Sequence, residues 1–123
     1  MKGQYDNNQP IFRQIIDRIL LEIATGELPP GSKVNPVREM ALEYKVNPNT
    51  MQKSLAKLEE MGYMYTERTS GRYVTADQSL IDSLKTRLPA QITEEYIKDM
   101  LECGIAKDAI PQYVEDNIRS TIK

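Results

Sequence analysis

Two residues, Lys45 and Val46, lie between one short amphipathic helix and the residue that caps the next, Asn47. In the first, Val37, Met40, Ala41 and Tyr44 make an inner side, with Arg38, Glu39 and Glu43 elsewhere. Asn35 is placed to cap it and Pro36 to occupy its first position, and the helix runs to about Lys45. The second, Val46 to Gly62, stacks Met51, Leu55, Leu58 and Met61 on one face with Ser54 beside them. Asn49, Lys53, Ala56 and Glu60 occupy the other face. Asn47 is the expected cap, accepting from the N–H of Asn49 or Thr50, and Pro48 fits where a missing donor does no harm. Gly62 supplies the left-handed residue that ends the helix. A joint this short gives a helix-turn-helix, whose second helix is free to lie in a major groove. Taken alone, this helix is also what an ordinary polar surface helix looks like, so the flanking chain has to decide.

Upstream, residues 1–9 read as loose, apart from Tyr5, which can pack down. Pro10 then opens a helix with the stripe Ile11, Phe12, Ile15, Ile16, Ile19, Leu20 and Ile23, leaving Arg13, Asp17, Arg18 and Glu22 outside it; Gly26 ends it. The following LPPGSKV is a turn with two extended residues. Downstream of Gly62 the period changes from that of a helix to that of a strand. YMYTER alternates, TSG turns and RYVT returns, which is a β-hairpin. Its tip holds Arg68, Thr69, Ser70, Gly71 and Arg72, small residues flanked by cations that suit close approach to a phosphate or a minor groove. A helix-turn-helix followed at once by a hairpin is a winged helix.

The rest is helical. Asp77 or Ser79 starts a helix through Leu80, Ile81, Leu84 and Leu88 that Pro89 stops. Thr93 caps the next, with Ile92 as a staple partner, a stripe of Tyr96, Ile97, Met100 and Leu101, and Gly104 as its end. A last helix starts near Asp108, tolerates Pro111 in its first turn and continues with Ile110, Val114 and Ile118. Short helices of this kind cannot cover one another fully. The stripe of Leu80, Ile81, Leu84, Tyr96, Ile97, Met100, Leu101, Val114 and Ile118 is therefore expected to pack against a second copy.

Composition removes most other functions. The 123 residues contain no histidine and one cysteine, Cys103. The commonest general base and metal ligand are thus missing, no internal disulfide can form, and no catalytic set or metal site stands out. The expectation is a cytoplasmic protein with no signal peptide, no membrane span and no cofactor. Residues 1–75 carry ten Lys and Arg against nine Asp and Glu, and residues 76–123 carry six against nine. Any contact with nucleic acid must come from a local patch and not from net charge, which is −2.

The pattern resembles the GntR-type bacterial transcription regulators, and within them the short YtrA-like subfamily. The resemblance rests on GELPPG after the first helix, VREMA at Val37–Ala41, VNPNTM at Val46–Met51 and LEEMGYMYTERTSGRYV at Leu58–Val74, in that order and spacing. It covers residues 10–75, while the tail is similar only in length and helical character. It implies a winged helix that binds double-stranded operator DNA as a homodimer, in a subfamily whose members are usually repressors, often of transporter operons. It also implies DNA contacts at Arg38, at Asn47, Pro48, Asn49, Thr50 and Gln52, and at the wing glycine, Gly71. Lys53 joins them from the outward face of the helix. Three departures stand out: Val34-Asn35-Pro36 replaces the usual Leu-Pro-Ser, Thr69 replaces a first wing glycine, and Pro48 and Gln52 stand where some relatives carry arginine.

The expected architecture is mainly α with a small β-hairpin: a winged helix-turn-helix DNA-binding domain over residues 1–75 and a short α-helical dimerisation region over 76–123. The expected function is a homodimeric repressor of a small operon, with any small-molecule effector undetermined. The competing reading is a winged-helix module that binds protein and not DNA. Near-neutral charge favours that reading, and Arg38, Lys53, Arg68 and Arg72 on the reading side speak against it.

Overall fold

The computed structural model describes Tyr5 and residues 10–121. Its elements are α1 (Ile11–Thr25), α2 (Val37–Tyr44), α3 (Pro48–Glu60), β1 (Met64–Glu67), β2 (Gly71–Val74), α4 (Gln78–Glu102) and α5 (Ile110–Thr121), with a 3₁₀ turn, Lys107–Ala109, before α5. The chain divides into two compact units, Met1–Lys85 and Thr86–Lys123. The first is a winged helix.

In that unit the apolar stripes meet as their spacing demands. Ile15, Ile19 and Ile23 of α1, Met40, Ala41 and Tyr44 of α2, and Met51, Leu55 and Leu58 of α3 are all buried. Each large side chain so enclosed contributes about 1.5–3 kcal/mol relative to exposure. Ser54 is buried among them, and its hydroxyl donates to the Thr50 carbonyl at 2.9 Å. Asn49, Lys53, Ala56 and Glu60 stay exposed. Met61, expected on the inner face, sits at the C-cap and is exposed, because the helix has already ended there.

The hairpin pairs Met64 with Val74, Tyr65 with Tyr73, Thr66 with Arg72 and Glu67 with Gly71. The extended residues after the Pro29-Pro30 turn line its free edge. The Val34 N–H donates to the Arg72 carbonyl at 2.8 Å, and the Val74 N–H to the Ser32 carbonyl at 2.9 Å. Segment 32–34 thus serves β2 as a third strand in all but length.

Three local expectations are corrected. Asn35 does not cap α2: Pro36 takes the cap position, Val37 begins the helix, and no side chain caps it. Glu22 lies inside the α1 stripe, because it follows Ile15 by seven residues and Ile19 by three; it is buried and accepts a hydrogen bond from the Tyr44 hydroxyl. Tyr5 packs down as expected, its hydroxyl donating to the Tyr44 carbonyl at 2.7 Å, whereas the other residues of 1–9 lie outside those described.

The third correction concerns the tail. Pro89 does not stop a helix; α4 runs through it as one element. Proline removes one donor, leaving the Lys85 carbonyl without its partner four residues on. Both residues are exposed, so water can satisfy that carbonyl. Thr93 accordingly caps nothing, and its hydroxyl donates back to the Pro89 carbonyl at 2.8 Å. The true cap of α4 is Asp77, whose carboxylate accepts from the N–H groups of Ser79 and Leu80 at 3.1 and 3.2 Å. The Ser79 hydroxyl and the Leu80 N–H hold that carboxyl below its ordinary pKa. The first two turns of α4 belong to the winged-helix unit, where Ile81 and Leu84 are 2% and 0% exposed. Those two residues are core of the single chain and are not left over for a partner. In the second unit α4 ends at Gly104, the 3₁₀ turn takes the place expected for a helix starting at Asp108, and Ile110 is buried.

Burial, followed by the hydrogen bond that the hydroxyl donates to the Glu22 carboxylate, raises the Tyr44 pKa above its ordinary value. That raised pKa contributes stability in full below about pH 10, where an unfolded tyrosine is still protonated, and the contribution is lost as pH climbs further. Tyr44→Phe should therefore lower unfolding stability by about 1–3 kcal/mol at neutral pH. In urea titrations from pH 7 to 11, the gap to the parent protein should narrow above about pH 10. A gap constant across that range would refute the linkage.

Candidate nucleic-acid interface

The joint between α2 and α3 is built at Lys45, a non-glycine residue with φ 57° and ψ 49°. The left-handed conformation costs such a residue about 1–2 kcal/mol. Its return is a turn two residues long, closed by the Val46 N–H on the Ala41 carbonyl at 2.9 Å. Asn47 is then extended, and its side-chain oxygen accepts from the Asn49 N–H at 2.7 Å. The cap is the one expected, with Pro48 as the first helical residue. It fixes which side chains the first turn of α3 shows to solvent: Asn47, Pro48, Asn49, Gln52 and Lys53 are exposed and Thr50 is half-buried. Besides the capping Asn47, two amides (Asn49 and Gln52) and the Lys53 ammonium stand there, groups that pair with base edges and phosphates. Arg38 is exposed on α2, and it lines one shallow cleft together with Ala41, Leu42, Val46 and Pro48. The α2 cation and the start of α3 thus form one continuous surface. Lys53 is not wholly free: its ammonium sits 4.7 Å from the centre of the Phe12 ring.

The hairpin divides the wing residues by face. Residues paired across an antiparallel ladder point the same way, and the direction alternates along the strand. Met64 and Val74 are buried, so Thr66 and Arg72 share the inner face, while Tyr65, Tyr73, Glu67 and Gly71 share the outer one. On the outer face the Tyr65 and Tyr73 rings stack at 5.7 Å. At the tip Arg68, Thr69 and Ser70 are exposed. The structure does not bring Arg72 to the tip with them. Its guanidinium lies against α3, with Nη2 and Nε each 3.3 Å from the Glu59 carboxylate, and it is half-buried. The signal was present in the sequence, since Arg72 is two residues from Val74 and must share its face. Sequence reasoning also missed Lys33, which the Lys33–Tyr73 bridge carries to the hairpin from a loop forty residues earlier.

Among the described residues no cluster of His, Cys, Asp or Glu is arranged to hold a metal, and no helix is long and apolar enough to cross a membrane. A sequence model of bacterial regulatory proteins of the gntR family matches residues 12–74, half of the chain and the whole of the surface just described. The chain belongs to the GntR family. The uncharacterized HTH-type transcriptional regulator YhcF of Bacillus subtilis is 37% identical over 88% of this chain and 89% of its own. The HTH-type transcriptional repressor YtrA of the same organism is 29% identical over 89% and 85%. A GntR family transcriptional regulator from Listeria monocytogenes superposes with a TM-score of 0.80 at 39% identity, covering 91% of this chain and 98% of that one. The chain is thus a GntR-family transcriptional regulator with a DNA-binding winged helix, and not an enzyme.

In this GntR-family chain α3 depends on its cap for the geometry of its first turn. Asn47→Ala should lower unfolding stability by about 1 kcal/mol, with Asn47→Ser retaining most of it. Equal stability of the alanine and parent proteins in urea titration would show that the cap contributes nothing.

Proposed function

We propose that this GntR-family regulator binds operator DNA as a homodimer and represses a small operon. One observation carries the reading: Arg38 and the capped, exposed first turn of α3 border the same cleft. In this reading α3 enters the major groove with Asn49 and Gln52 towards base edges, since a side-chain amide can grip adenine through two hydrogen bonds. Arg38, Thr50 and Lys53 face phosphates, Asn47 and Pro48 set the entry of the helix, and the tip residues Arg68, Thr69, Ser70 and Gly71 approach the flanking backbone. Arg72 serves indirectly, fixing the wing to α3 through Glu59. Repression is supported by the likeness to YtrA, a named transcriptional repressor.

Dimerisation is supported by what the second unit leaves uncovered. Ile97, Leu101, Val114 and Ile118 are 38–52% exposed in the single chain, and Tyr96 and Met100 are half-buried. Leu80 is half-buried within the winged-helix unit, so the proposed interface is narrower than the original stripe by Ile81 and Leu84. One recognition helix reads one half-site, and two related by a two-fold axis read a pair about one helical turn or a small multiple apart.

Arg38→Ala is expected to weaken binding to DNA from upstream of the protein's own gene by about 1–3 kcal/mol with folding intact. Unchanged affinity in a folded variant would remove Arg38 from the interface. For the dimer, Leu101→Glu in the full chain should leave the winged helix folded but shift sedimentation at micromolar concentration from dimer to monomer. A parent protein that sediments as a monomer would sink the homodimer reading.

A further inference from the structure

The wing carries a cation that does not belong to its own sequence. Lys33 bridges to Tyr73 from the segment before α2, and its side chain lies across Gly71. A Cβ built on Gly71 would stand 3.1 Å from Lys33 Cε and 3.9 Å from its ammonium nitrogen. Gly71 itself has φ 127°, a conformation other residues rarely adopt, and a Cβ there would also have to displace the Lys33 stem by a few tenths of an ångström. The aliphatic stem of Lys33 takes up the room and sets its ammonium beside the first residue of β2. Lys33 is exposed, and among the described residues no carboxylate forms an ion pair with it. Arg72, the cation that the hairpin supplies at this level, is turned to the inner face and engaged by Glu59. The outer face of the wing next to its tip would otherwise carry only the Tyr65–Tyr73 stack and Glu67, a surface with no attraction for a phosphate.

We infer that Lys33 is a backbone-phosphate anchor of the wing, acting with Arg68 at the tip in the place that sequence spacing assigns to Arg72, and that Gly71 serves to let it cross. The inference rests on the DNA-binding reading above and adds a residue that the hairpin sequence does not contain. A lysine is suited to this role as a compact charge on a long stem: the stem packs on the glycine and the ammonium stays in water until a phosphate meets it. Because a phosphate carries no sequence information, the contact should strengthen binding to every duplex alike.

The test measures binding of the full-length protein to two duplexes, one carrying DNA from upstream of its own gene and one of random sequence, across a series of salt concentrations. Lys33→Met keeps a stem over Gly71 and removes the charge. It should weaken binding to both duplexes by the same factor, roughly three- to tenfold, and reduce the slope of log affinity against log salt by about 0.9. Lys33→Arg should restore the slope. A Lys33→Met protein with the parent's slope overturns the inference while leaving the DNA-binding reading intact. A variant that loses affinity with its slope unchanged and its melting temperature lowered assigns Lys33 a structural role, and also overturns it. A parent protein that binds neither duplex overturns both readings together.

Discussion

Everything in the winged helix depends on α3 being buried along one side and bare along the other. Met51, Leu55 and Leu58 are fully enclosed, chiefly against α1 and α2, while Asn49, Gln52 and Lys53 lie in solvent. The apolar side holds the helix in place by several kcal/mol of burial, and the polar side is then free of any duty to the core. A change to the inner stripe would move every exposed side chain of α3 at once, because they share one rigid rod. The cap at Asn47 and the two-residue joint before it set where that rod begins.

Much of this was legible in the chain. The cap, the N1 proline and the spacing of the apolar residues located α3 and its faces, and the change to alternation after Gly62 located the wing. What escaped the reading was of two kinds. Glu22 and Arg72 were misplaced although their spacing was informative: Glu22 falls on the α1 stripe, and Arg72 shares its face with Val74. At both positions the spacing along the chain, and not the charge of the side chain, decides the face. Lys33 and the continuity of α4 were different. The bridge joining residues 33 and 73 is non-local, and nothing in either segment alone announces it. Pro89 is tolerated because the carbonyl it leaves unpaired is at the surface, which depends on orientation and not on the proline.

The electrostatics of the surface follow from placement and not from totals. A net charge of −2 would seem a poor basis for meeting a polyanion. Yet Arg38 of α2, Lys53 of α3, Arg68 at the hairpin tip and Lys33 before α2 form no ion pair with a carboxylate among the described residues, whereas Arg72, Lys57, Lys85 and Arg119 are each engaged by one. At distances of a Debye length or less, a cation with no carboxylate beside it acts on a polyanion whatever the net charge of the chain.

The seam between segment 32–34 and β2 also bears on the order in which the molecule assembles. The hairpin itself closes over a three-residue tip, and three residues join α2 to α3, so both are built from contacts local in the chain. The hydrogen bonds from Val34 to Arg72 and from Val74 to Ser32 instead close a loop of about forty residues, whose entropic cost must be met by helices already packed. The wing is thus held by two kinds of contact: β1 packs on α3, directly before it in the chain, while the seam to segment 32–34 reaches back about forty residues. Opening that seam alone would free the outer edge of β2 and leave the hairpin seated on α3.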